Sequence, residues 1–368
     1  MRSFLRAGLL LGFVVSACKD SAGPPGDFSD PVAVTADMQS VDSAFDSDLY
    51  RSFGAASLEL GAAATGVAPL KPAASMLTAT LPKLNHSAGR ASVLGAVEAQ
   101  RLQQLRPAMN AAVAQGRIIP DSVYGRVYQW DTTLDTYTWQ DSVIPGLNGV
   151  RFLLYQVDEF GFVIEPTTEV GTLDLIDEST LSSLQLHILV KSGSTTYLDY
   201  TAHVSATATT LNASATGSIS NGLSVGNKTL TFDEAFVVTE TRVTANATFT
   251  LNNPARTFTV SESASVSGQS LVITGDFRFI RPGETVQFYA RITFDSTIVI
   301  DATVRVNGRT VATLHGELGD PETVWVDAGG EPLTADDIAA LEALDESATA
   351  FQNAMNSLFL PIETFFGG

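Results

Sequence analysis

The sequence predicts a mainly β or α+β protein. Its centre is a large antiparallel meander sheet, curved or half-barrel in form, with N-terminal helices and a C-terminal amphipathic helix packed on it. Three observations carry this expectation. From about residue 120 to 326, Thr, Val, Phe and Tyr alternate with polar residues at period two, most clearly in Ala245 to Leu251 and Ile298 to Val306. Turn signals interrupt that pattern at short, regular intervals. After it, apolar residues recur at spacings of three and four instead.

The first element is a targeting segment, residues 1–17. Arg2 and Arg6 form a charged n-region, and Ala7 to Val14 an apolar h-region. That run is shorter than the about 20 residues needed to span a bilayer. Val15-Ser16-Ala17-Cys18 closes the segment, and Cys18 is the sole cysteine of the 368 residues. These four residues resemble the lipobox of bacterial lipoproteins. The resemblance implies cleavage between Ala17 and Cys18, a diacylglycerol thioether on Cys18 and acylation of the new amine. Several buried acyl chains hold a protein to a membrane where one holds it only marginally. In diderm lipoproteins an Asp after the cysteine favours the inner membrane. Lys19 stands there, so the resemblance implies delivery to the outer membrane.

Composition narrows the possible sources of stability and the possible partners. With Cys18 acylated no disulfide can form, so a packed core must supply stability. The chain carries a formal charge of −19, and removing Arg2 and Arg6 with the leader makes it more negative by two. Such a charge repels nucleic acid and anionic lipid head groups, which leaves the lipid as the membrane partner. Residues 18–34 are rich in Ser, Gly, Pro and Asp and read as a lipidated, flexible tether.

Residues 35–118 read as a helical N-terminal region. Met38, Val41, Phe45 and Leu49 share a face, Thr35 suits the N-cap, and Gly54 reads as the stop. An Ala-, Gly-, Ser- and Pro-rich connection follows to about residue 90. A second helix is expected from Ser92 to Ala114, with Pro107 kinking or dividing it.

Residues 119–328 form the sheet region, of about a dozen strands. Its turns include Asn148-Gly149, Ser192-Gly193, Asn221-Gly222, Asn252-Asn253-Pro254, Arg281-Pro282-Gly283 and Asn307-Gly308. Asn307-Gly308 is the strongest hairpin signal, because a type I′ turn needs positive φ at both central positions. Its simplest register sets Val304 opposite Val311 and Ala302 opposite Thr313. In residues 329–368, Thr334 and Asp337 are placed as a capping box. Ile338, Leu341, Leu344, Ala348, Phe351, Met355 and Leu358 then form a helical stripe that Pro361 ends. The stripe is expected to bury itself on the chain's own sheet, as part of one domain with it; docking to another protein is the alternative.

Little of this carries chemistry. His86, His187, His203 and His315 show no metal-binding spacing, and Asp46-Ser47-Asp48 lacks the glycine and terminal glutamate of a calcium loop. No nucleophile elbow or phosphate-binding glycine loop is present. Asp158-Glu159 and Asp233-Glu234 are the paired carboxylates a glycosidase would need, and both are expected in solvated turns. Tyr124, Tyr128, Trp130, Tyr137 and Trp139 can stack on sugars, line an apolar pocket, or pair across strands.

The expectation is therefore a lipid-anchored, non-enzymatic envelope protein without cofactor or metal, binding an apolar or amphipathic ligand in its curved sheet. In outline that architecture is similar to the half-barrel carriers of the lipoprotein-localisation type. A structural or interaction protein with a filled core is the alternative. A carboxylate-based carbohydrate-active enzyme is a third class. A transmembrane barrel shares the alternating strands, but the lipid anchor, terminal helix and charged turns oppose it.

Overall fold

The computed structural model describes residues 36, 47–65, 112, 114–158, 160–207, 209–224, 226–239, 241–267, 270–317, 320, 325–339, 341, 358 and 361, with side chains omitted for 58–65 and 267. Cys18 and the tether lie outside them, as do Thr35 with Met38, Val41 and Phe45, most of the expected second helix with Pro107, and Leu344 to Met355.

Among the described residues, period-two alternation folds into a single 15-stranded sheet. The strands are β1 (Arg126–Asp131), β2 (Thr136–Val143), β3 (Gly149–Tyr155), β4 (Glu169–Asp177) and β5 (Leu184–Ser192). Next come β6 (Thr195–Ala206), β7 (Leu211–Ser220), β8 (Thr229–Val238), β9 (Arg242–Asn252) and β10 (Ala255–Ser267). The last are β11 (Ser270–Arg281), β12 (Glu284–Phe294), β13 (Ile298–Val306), β14 (Arg309–Glu317) and β15 (Val326–Asp327). From β3 to β15 each strand pairs antiparallel with the next, so the sheet is a meander over most of its width. It does not close into a barrel: β2 and β15 occupy its two ends.

Two details depart from the expectation. The sheet is mixed, because β1 lies between β2 and β3 and pairs parallel with β3. The Ile144 to Asn148 connection carries the chain past β1 rather than folding a tight hairpin. The second departure is the register after Asn307-Gly308. Both residues have positive φ, 50° and 80°, as a type I′ turn requires. Yet Val304 pairs with Ala312 and Ala302 with Leu314, because a bulge follows the first two pairs. Val311, Ala312 and Leu314 are all buried, and unbroken alternation would turn Ala312 and Leu314 to the opposite face from Val311.

Alternation sorts the sheet into two faces. Leu186, Ile188, Tyr200, Ala202, Phe232, Phe249, Phe258 and Phe279 lie on the inner face and are at most 3% exposed. Ring contacts cross that face from Phe53 to Tyr200, Tyr200 to Phe232 and Phe232 to Phe249, at centroid distances of 6.4, 5.7 and 6.3 Å. Each fully buried side chain of this size contributes roughly 1.5–3 kcal/mol. The other face carries mainly Ser, Thr, Asn, Asp and Arg.

Helix α1 (Asp48–Thr65) packs Leu49, Phe53 and Ala56 into the core. It corrects the expected stop: Gly54 lies inside the helix, which runs to Thr65, and the rest of the expected connection lies outside the described residues. An interior glycine costs only about 1 kcal/mol, less than burying the face that includes Phe53 returns. At the other end Thr334 caps the helical residues 335–339, its Oγ1 accepting from the Asp337 amide at 3.2 Å. Leu341 and Leu358 reach the same core as the sheet.

Candidate functional site

The carboxylate pairs separate. Asp158 stays in a turn, where its Oδ1 accepts from the Phe160 and Phe162 amides at 2.9 Å each; Glu159 lies outside the described residues. Asp233 and Glu234 do not occupy a turn. They sit mid-strand in β8, so their side chains point to opposite faces and cannot act on one substrate.

Glu234 consequently enters the core. It is 0% exposed, and among the described residues neither carboxyl oxygen has a hydrogen-bond partner. Its cross-strand neighbours are Ala215 and Ala247, whose small side chains leave room for it, and Phe232 and Phe236 flank it along the strand. Burial, aided by the nearby Asp233 charge, holds its pKa well above the usual carboxylate range. Tyr200 shares this face, its own pKa raised well above normal by burial first and then by Tyr50 and Glu234.

The aromatics of the first strands divide. Tyr128 stacks on Phe152 at 4.7 Å, and Tyr137 meets Trp130 and Phe152 edge-on at 5.4 and 5.3 Å, which is cross-strand core packing. Trp139 is 48% exposed, with the Arg126 guanidinium 4.1 Å over its ring. Tyr124 Oη reaches Asp177 Oδ2 at 3.4 Å. That carboxylate also accepts the Ile118 and Ile119 amides at 2.7 Å each, tying the segment before the sheet to β4.

The described histidines lie apart on the polar face. His187 Nε2 is 2.8 Å from Asp199, and His315 Nδ1 is 2.5 Å from Asp301, both across adjacent strands. His203 faces the same way on β6, and His86 lies outside the described residues. Among the described residues, no group of three potential ligands is placed to hold a metal.

The polar face carries a groove of about 370 Å³ across β9 to β12. Register aligns its floor in two cross-strand rows. One is Thr244, Ser263 and Thr274; the other is Asn246, Ser261, Asp276 and Tyr289. Short hydroxyl and amide side chains make the floor, and Arg242 and Tyr289 stand at opposite ends. Ser261 Oγ donates to Asn246 Oδ1, and the Ser263 and Thr274 hydroxyls pair, each at 2.8 Å. Asp276 accepts from Arg278 at 2.8 and 3.1 Å and from Gln287 at 3.0 Å. Partial burial alone would raise its pKa, but these bonds and the Arg278 and Arg305 charges lower it, so the group is an ionised carboxylate. None of these residues stands out in the sequence, because Ser and Thr on a strand read as ordinary exposed positions. Only the register brings them together.

Compared with protein-family models, curated proteins and solved structures, the chain matches none.

Proposed function

We propose that this is a lipid-anchored, non-enzymatic protein of the cell envelope, held by Cys18 at the outer membrane. Its core is filled by its own side chains, and its polar sheet face serves as the interaction surface. One observation carries the reading: the chain itself occupies the inner face. Phe53 of α1 packs on Tyr200, and the Tyr200 hydroxyl donates to the Leu358 carbonyl at 2.8 Å. A strongly acidic protein is ill suited to nucleic acid, which agrees with a surface role.

The second reading places an apolar or amphipathic ligand between a curved, half-barrel sheet and its helices. Glu234 favours it, since a hydroxyl or amine head group would satisfy a carboxyl that has no partner among the described residues. Native mass spectrometry and lipid extraction of protein purified from its own envelope separate the two. A mass equal to the acylated chain supports the filled core; one non-covalent lipid per chain supports the ligand reading and overturns the first.

A further inference from the structure

We infer that the groove across β9 to β12 is a binding site for a neutral saccharide chain. The inference rests on the reading that the polar face is the working face, and it adds the ligand class.

The groove has the size and length of an oligomer site. About 370 Å³ falls within the range of small-ligand sites, roughly 300–1,000 Å³. The groove crosses four strands, so its floor spans three inter-strand spacings, about 14 Å in all. That suits a short chain of rings better than a single small metabolite.

Its lining is that of a hydroxyl-rich ligand. Most small-molecule pockets are largely apolar, whereas this floor is almost wholly hydroxyl, amide and carboxylate. Thr244 can donate and accept, Ser261 still accepts beside its bond to Asn246, the Ser263–Thr274 pair leaves one hydrogen and several lone pairs, and the Asn246 amide nitrogen donates. A ligand covered with hydroxyls matches such a surface, since each of its groups is also both donor and acceptor. Tyr289 adds a ring against which a sugar face can pack.

Charge excludes the alternatives. Asp276 is neutralised by Arg278 and held by Gln287, so it is a fixed acceptor rather than a free charge. Arg242 supplies a cation at the opposite end, while the chain as a whole is strongly negative. An anionic polymer is repelled at long range, and a polycation finds both groove carboxylates, Asp276 and Glu262, already engaged. A neutral, hydroxyl-rich chain suffers neither.

The floor is also set before a ligand arrives. The Ser261–Asn246 and Ser263–Thr274 bonds orient the rows, which reduces the entropy lost on binding.

The test is isothermal titration of the full-length purified chain with maltotriose, cellotriose and chitotriose, and with a uronic-acid trimer as the charged probe. At least one neutral trimer should bind one-to-one, and the uronic-acid trimer more weakly. Tyr289→Ala and Asn246→Asp should each weaken binding about tenfold, the weight of one ~1.4 kcal/mol contact. Thr313→Ala, on the same face of β14 but outside the groove, should leave it unchanged. Asn246→Asp preserves shape, so it decides the matter if Tyr289→Ala fails to fold. No neutral trimer bound at millimolar concentration, wild-type affinity in both groove variants, or preference for the charged trimer overturns the inference. The lipid measurement above judges the filled-core reading separately, because a bound lipid leaves these titrations interpretable.

Discussion

The Tyr200 hydroxyl donates a 2.8 Å hydrogen bond to the Leu358 carbonyl, joining β6 to the C-terminal segment across 158 residues. Tyr200 also packs against Phe53 of α1 and Phe232 of β8. One side chain therefore contacts an N-terminal helix, the middle of the sheet and the C-terminal segment. Opposite it on β7 stands Gly217, where a Cβ would come within 2.2 Å of the Tyr200 Cβ. Tyr200→Phe keeps the ring and removes the bond. It should cost about 1 kcal/mol, read by chemical denaturation, and raise proteolytic cleavage after Asp337. An unchanged midpoint with unchanged cleavage would show that the bond is energetically idle.

Glu234 makes stability depend on pH in a definite direction. Its folded pKa is raised, so the folded state keeps its proton while the unfolded state loses one above about pH 4.3. Stability is therefore greatest below that pH and declines as pH rises towards the folded pKa, by at most about 1.4 kcal/mol per pH unit from this group. Glu234→Leu should abolish that decline and raise the melting temperature at pH 8. Parallel stability curves for wild type and variant between pH 5 and 8 would refute the assignment.

Gly308 sits at φ 80° in the turn between β13 and β14. A β-branched residue is strained in that region, so Gly308→Val should lower stability by more than about 1 kcal/mol. Asn307→Gly, which removes a side chain bonded to the Thr285 amide at 2.9 Å, should cost less. The order of the two melting temperatures checks the turn type.

Lipid attachment is tested at Cys18. In Cys18→Ala cells the protein should leave the membrane fraction and lose incorporation of labelled palmitate. Retention in the outer-membrane fraction at the wild-type level would mean that something other than the lipid holds it.

Local pattern alone specifies the sheet, its strand-and-turn rhythm and the reversal at Asn307-Gly308. Those are local: period two places a side chain on a face, and a turn needs its own few residues. It also specified the Thr334 cap, for the same reason. The remaining features depend on which residues become neighbours across strands. The bulge at Val311 answers to burial of Val311, Ala312 and Leu314 together, and that balance involves β13 and the core beneath it. The parallel β1–β3 pairing follows from where β2 finds an edge, which no local pattern states. Gly54 reads as a helix stop, but the core contact of Phe53 outweighs its intrinsic preference. Asp233-Glu234 reads as a solvated pair, yet one strand sends Asp233 to water and Glu234 into an apolar core. The groove is the strongest case: Asn246, Ser261, Asp276 and Tyr289 are ordinary strand residues alone, and only hydrogen-bonded register across four strands makes them one surface.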